Sequence, residues 1–160
     1  MIREYEPERD SLCAEPRLDA GWGGAQQARR GELVDVLALP GFIAEENGRR
    51  VGIAAYSRVA GTCELAFIEA VEPGRGIGSA LLERVVRAAQ GCSRVWVVTT
   101  NDNLDALRFY QRRGFRLVEV RPGAVDLARE SLKPEIGRVG AYGIPIRDEL
   151  ELSLDLGPQA

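Results

Sequence analysis

The chain contains no histidine. Without an imidazole, Ser-His and Cys-His nucleophile arrangements are out of reach, as are most catalytic zinc sites. Cysteine is scarce. Cys13, Cys63 and Cys92 are odd in number and show no metal-ligand spacing. Cys63 and Cys92 stand in apolar surroundings and read as buried small hydrophobes, which points to a reducing cytoplasm and to no bound metal. Long hydrophobic runs are missing too: residues 1–6 hold no apolar signal core, and no stretch approaches membrane-spanning length, so no membrane partner is expected. Positive charge is not in excess. Lys and Arg total 21 against 24 Asp and Glu, a net charge of -3, with no basic block. Nucleic acid is therefore not an expected partner, and a mildly acidic surface suits cationic amines.

What remains is ordinary soluble composition, with 45% apolar and 28% charged residues in a chain of 160. That length predicts one domain over residues 1–156, followed by a frayed tail at 157–160.

The most informative stretch is Pro73-Gly74-Arg75-Gly76-Ile77-Gly78-Ser79-Ala80-Leu81-Leu82. Glycines at alternate positions let backbone approach a ligand with no Cβ in the way. They lead into a helical pattern, whose first N–H groups and positive dipole end attract anions. A plain tight connection is the structural alternative. Two known phosphate loops do not fit. No Gly-Lys-Ser/Thr ending follows, and Leu81 stands where Gly-x-Gly-x-x-Gly, counted from Gly76, needs its last glycine.

In chain order, residues 2–5 suggest a short strand and a polar, mostly helical region follows. Its clearest segment is 25–39, with Leu33, Val36 and Leu37 as an apolar stripe and Pro40-Gly41 as the stop. Trp22 reads as a packed loop aromatic or a pocket cap. Residues 41–46 and 50–58 predict a hairpin around Asn47-Gly48. Residues 63–71 form the next strand. Period two sets Cys63, Leu65, Phe67, Glu69 and Val71 against Glu64, Ala66, Ile68 and Ala70. A helix then runs to about Gln90, stacking Ile77, Leu81, Val85 and Ala89, and Gly91 ends it.

Residues 94–100 are apolar on both faces, as a central parallel strand should be. Asn101-Asp102-Asn103 caps a helix carrying Leu104, Leu107 and Tyr110, which stops at Gly114. Residues 115–120 form a strand, a helical turn falls around 125–132, and 146–156 alternate as a half-exposed antiparallel strand. The order predicts an α/β fold, a mixed sheet with helices on both faces and a right-handed crossover. Both informative loops, 73–78 and 100–103, lie at the carboxyl ends of strands, where such sheets collect ligands.

Two stretches resemble the GCN5-related N-acetyltransferase superfamily. One is the strand and loop from Glu64 through Leu82. The other is Asn103-Leu104-Asp105-Ala106-Leu107-Arg108-Phe109-Tyr110-Gln111-Arg112-Arg113-Gly114-Phe115, which matches Asn-x-x-Ala-x-x-x-Tyr-x-x-x-Gly-Phe. Together they cover about the middle third of the chain in the right order. Residues 122–156 further resemble a bacterial branch ending in Gly-Ile-Pro-Ile-Arg-Asp-Glu, here residues 143–149.

The resemblance implies the acyl-CoA N-acyltransferase fold, with a mostly antiparallel twisted sheet and a central parallel pair splayed for CoA. It implies acetyl-CoA as donor and an amine as acceptor, small amines first and peptide or protein amines second. The CoA pyrophosphate would sit on Gly74, Arg75, Gly76, Ile77, Gly78 and Ser79, and pantetheine along Ala70 and Val71, with Asn103 touching it. The superfamily's Gln or Arg before the loop's middle glycine falls on Pro73 or on Arg75, depending on register.

With no histidine, carboxylates are the natural bases. Glu64 matches a position where superfamily members place one; its structural reading is a strand-end Glu in solvent or paired with an Arg. Glu69 competes if a bulge brings it to the same face. Tyr110 is the candidate acid toward the CoA sulfur, or else a core aromatic. Arg108, Arg112 and Arg113 are candidates for the CoA 3′-phosphate, or else a solvated helix face. A non-catalytic acyl-CoA sensor and a nucleotide-binding module stay open as alternatives, and a homodimer is compatible with all of them.

Overall fold

The computed structural model describes residues 1–10 and 26–158. Cys13, Trp22 and the last two residues lie outside this range, as does the first part of the helical region expected before residue 40.

Seven strands form one sheet. They are β1 (Ile2–Tyr5), β4 (Gly41–Glu46), β5 (Arg49–Val59), β6 (Thr62–Ala70), β7 (Arg94–Thr100), β8 (Arg116–Arg121) and β9 (Glu149–Asp155), in the order β1-β4-β5-β6-β7-β9-β8. A separate hairpin joins β2 (Gln26–Arg29) to β3 (Glu32–Asp35). Three helices that pack by the sheet are α1 (Ile77–Ala88), α2 (Leu104–Arg112) and α3 (Ala124–Ser131). Every neighbouring pair in the sheet is antiparallel except β6 and β7. This is the mixed sheet with one central parallel pair that the sequence predicts.

Helix α1 forms because its stripe has a partner surface. Ile77, Leu81, Val85 and Ala89 are buried against Phe42, Ala54, Leu65, Val95 and Val97, and Tyr110 and Phe115 close the cluster from the α2 side. The helix stops as Gly91 turns left-handed, with φ of 91°. On the opposite face Tyr5, Val36, Leu37, Ile43 and Ala55 make a smaller core. Among the described residues no helix is long and apolar enough to cross a membrane.

Three expectations need correction. Residues 26–35 form strands, not a helix. Arg30 and Gly31 both take positive φ, 53° and 76°, which closes a two-residue hairpin turn. Long-range bonds decide the matter over local helix propensity: the Arg30 N–H reaches the Glu149 carboxylate at 3.2 Å, and Arg29 reaches Glu64.

The second correction concerns β6, where strict alternation fails. Leu65 pairs with Tyr56 but Phe67 with Ala55, so Ala66 is an inserted bulge residue. Leu65, Ile68 and Ala70 then belong with the α1 core, whereas Phe67 packs with the smaller core. Glu69, opposite Ile53 of that smaller core, thus shares a face with Glu64.

Third, β9 starts at Glu149, and the first half of its polar face is covered: Glu149 and Glu151 are only 3% and 4% accessible, whereas Asp155 at its end is exposed. The covering hairpin is remote in sequence.

One buried carboxylate holds the first strand. Asp10, 1% exposed, accepts from Arg3 at 2.9 and 3.0 Å and from the Glu6 N–H, and pairs with Arg50 at 3.3 Å. The hydrogen bonds from Arg3 hold its carboxyl down at about 2. A depressed carboxylate contributes stability above its unfolded value near 4, and that stability is lost as pH falls toward 2. Asp10→Asn is expected to destabilise the fold by about 3 kcal/mol at pH 7. Urea midpoints should also show the variant losing less than the parent between pH 4 and pH 2.

Candidate active site

At the end of β6 the chain turns through Glu72 and Pro73 into the glycine loop. Gly74 and Gly76 hold φ of 84° and 78°, and a Cβ built on either meets nothing within 4 Å. Both positions need glycine for the backbone turn, and both face open space. Gly78 differs, because its Cβ would lie 3.2 Å from the Phe109 ring. That glycine serves the packing of α1 on α2.

Gly76 caps α1 with no side-chain bond, and the first helical donation is from Ala80 to the Gly76 carbonyl. The N–H groups of Gly74, Arg75, Gly76, Ile77, Gly78 and Ser79 donate to no atom among the described residues. Consecutive unpaired donors at a helix start make an anion cradle. The Arg75 side chain turns outward to Glu46 and Glu72 at 2.8 and 3.1 Å, so the loop offers amides without that cation. Arg113 lies nearer the helix start. It stacks 3.7 Å above Phe109 and donates to Ser79 Oγ. Arg112 and Arg113 line a groove of about 590 Å³ with Ser79, Glu83, Arg87 and Leu154. Arg108 does not line that groove.

Beside the loop, the parallel pair opens. Strands β6 and β7 are paired only at Cys63–Val95 and Glu64–Trp96. Beyond that row the Ala66 bulge turns β6 away, leaving two facing strand edges without ladder partners. The Val71 N–H is committed to the Val51 carbonyl at 2.8 Å, on the β5 side. Ala70 is the neighbouring residue whose backbone groups then point toward β7.

Glu64 stands at the closed end of this wedge, 5% exposed. Both its oxygens are engaged: Arg29 Nε and Nη2 donate to Oε1 and Oε2 at 2.5 and 2.6 Å. Tyr110 is also 5% exposed, packed on Phe109 and Phe115. Burial pushes its phenol above the ordinary range, so it stays protonated at neutral pH. The hydroxyl bonds to nothing among the described residues.

Asn103 caps α2 by accepting from the Ala106 N–H and also donates to Thr99. Its neighbours fasten a strap across the end of β7. Asn101 bonds Pro145, Arg147 and Asp148, and the Asp102 carboxylate accepts from Thr100 and the Ala141 N–H. A Cβ on Gly140 would lie 2.0 Å from Asp102 Oδ2, so only glycine fits there. This is the structural role of the segment over residues 143–149.

A polar layer that the sequence reading missed lies under the hairpin. Trp96 is flanked by Arg30, Arg29 and Arg94, with 4.7, 5.8 and 5.9 Å from guanidinium carbon to ring centroid. Arg121 bridges Glu149 and Glu151 at 3.0 and 3.3 Å. Arg29 and Arg30 were hidden inside the expected helix; the signal pointing to them was Gly31, set between two four-residue runs. Cys63 and Cys92 are buried as expected, and desolvation pushes the Cys63 thiol up to about 11. Neither should react with a thiol reagent in the native protein; following these two thiols before and after denaturation checks this.

The chain matches the model of the acetyltransferase (GNAT) family over residues 7–115. It is 39% identical to the uncharacterised protein YdhI of Bacillus subtilis (strain 168) over 135 residues, 82% of this chain and 84% of the relative. A second Bacillus subtilis relative, YxbD, is 36% identical over 138 residues, 84% and 86% of the two chains. Among solved structures, an IAA acetyltransferase from Bacillus cereus superposes with a TM-score of 0.75 at 22% identity, covering 98% of this chain and 99% of its own. The YncA acetyltransferase of Salmonella typhimurium, solved with acetyl-CoA, gives 0.68 at 21%, covering 100% and 95%. The fold, the unpaired loop amides and the two motifs thus coincide with a family match over most of the chain, which belongs to the acetyltransferase (GNAT) family.

Proposed function

We propose that the protein transfers the acetyl group of acetyl-CoA to an amine by direct attack in a ternary complex. The observation that carries this reading is the run of unpaired N–H groups from Gly74 to Ser79, set beside the open wedge between β6 and β7. A diphosphate satisfies those donors, and the pantetheine arm extends along the β7-facing edge of β6 at Ala70. The thioester then arrives between Glu64 and Tyr110.

The amine nitrogen attacks the thioester carbon as the C–S bond breaks. Glu64 accepts the proton the nitrogen sheds, and Tyr110 gives one to the departing sulfur. The products are an N-acetyl amine and free CoA. Arg113 and Arg112 in the groove beside Ser79 suit the 3′-phosphate. Tyr110→Phe is expected to lower kcat about 10²-fold without changing the affinity for CoA. Thiol release from acetyl-CoA, followed across amines, amino acids and peptides, tests the assignment.

One feature favours a second reading, a non-catalytic acyl-CoA sensor: the Arg29 fork occupies both oxygens of Glu64. Each carboxylate oxygen has a second lone pair, so the pairing does not bar a proton. Acetyl-CoA binding with no CoA release from any amine would favour the sensor.

A further inference from the structure

The cavity beneath the β2–β3 hairpin is separate from the loop that suits CoA. It holds about 350 Å³, and its wall includes Arg29, Arg30, Glu32, Thr62, Glu64 and Trp96. That volume suits a small molecule. Its wall is rigid: Trp96 Nε1 donates to Thr62 Oγ1 at 3.1 Å, which fixes the ring.

The guanidiniums around this ring are not equally well paired. Glu64 is paired with Arg29, and Glu149 takes Arg121 and the Arg30 N–H. Glu151 takes Arg121 at 3.3 Å and Arg94 at 3.5 Å. The Arg30 guanidinium is left with Glu151 at 3.8 Å and makes no side-chain hydrogen bond among the described residues. Exposed Glu32 and Glu119 add contacts to Arg29 and Arg121, not to Arg30. Of the four guanidiniums, Arg29, Arg94 and Arg121 each have a carboxylate within 3.5 Å, and Arg30 does not. The least matched of them, 44% exposed and stacked on Trp96, borders the cavity.

A planar fork with idle donors recognises a carboxylate or a phosphate. The Glu64 carboxylate in the same cavity disfavours a dianion and attracts an ammonium. We propose that this cavity receives a free amino acid, its carboxylate on Arg30 above Trp96 and its amine toward Glu64. This rests on the acetyltransferase reading and names the acceptor class for it. Arg30 then acts as a specificity residue that touches substrate.

The test compares the twenty L-amino acids with their carboxamides, by thiol release with acetyl-CoA and by calorimetry on the protein with and without CoA. At least one amino acid is expected to show a KM about tenfold or more below that of its amide. Arg30→Gln should bring that ratio to about one, and Arg30→Lys should restore part of it. Equal KM values for acid and amide, or an acid-to-amide ratio unmoved by Arg30→Gln, overturns the proposal. So does exclusive turnover of peptide or protein amines. If CoA binds and no amino acid gives heat or product, this site fails while the CoA reading stands. If amino acids bind and CoA does not, the site stands and the acetyltransferase reading fails.

Discussion

Glu64→Gln is expected to lower kcat for acetyl transfer at neutral pH by about 10²-fold or more, the usual range for losing a positioned base. Affinity for CoA should stay within about twofold, because the loop amides lie at the other end of β6. The substitution is close to isosteric. The amide oxygen can still accept from Arg29, so the loss should fall on kcat more than on the fold. The Arg29 pair loses its charge assistance, which costs about 2 kcal/mol of stability. Glu69 shares the Glu64 face because of the Ala66 bulge, but it sits opposite Ile53, farther up β6. Glu69→Gln should therefore have a smaller effect. Equal, mild effects of the two would mean that the amine loses its proton to water alone.

The second large effect separates glycines that look alike in the sequence. Gly76 caps α1 in the left-handed region with open space around it, whereas Gly78 lies against Phe109. Gly76→Val puts a β-branched residue at φ near 78° and a side chain into the space a diphosphate needs. It is expected to cost about 2 kcal/mol of stability and to weaken CoA binding about 10²-fold or more. Gly78→Ala moves only the edge of the Phe109 ring, a few tenths of an ångström away. It should lower stability by about 1 kcal/mol and leave CoA affinity within about threefold. Calorimetric titration with CoA, beside urea unfolding, reads both quantities. Equal losses of affinity at the two positions would place the ligand deeper between α1 and α2.

Local chemistry made part of this legible from residues alone. Asn47-Gly48, the four-residue stripe of α1 and the Asn103 cap are all short-range signals, and each stands where the pattern put it. The loop was legible for the same reason, since glycine spacing is a backbone statement. The parts that were not legible depend on residues far apart in the chain. The hairpin over residues 26–35 is held by Glu64 and Glu149, and its helix-forming residues conceal that. Alternation along β9 marked Glu149 and Glu151 as solvent-facing, because nothing local says that Arg30 and Arg121 will cover them. The bulge at Ala66 is likewise set by how β5 pairs. Arg29, Arg30 and Trp96, which border the cavity proposed for the acceptor, sit in just these nonlocal features.

A crystal of the protein grown with coenzyme A would put the whole account at risk in a single map. The diphosphate oxygens should lie within hydrogen-bond reach of the amides of residues 74–79, with the thiol between Glu64 and Tyr110. A coenzyme bound elsewhere on the surface, with those amides turned back onto the protein's own carbonyls, would contradict it.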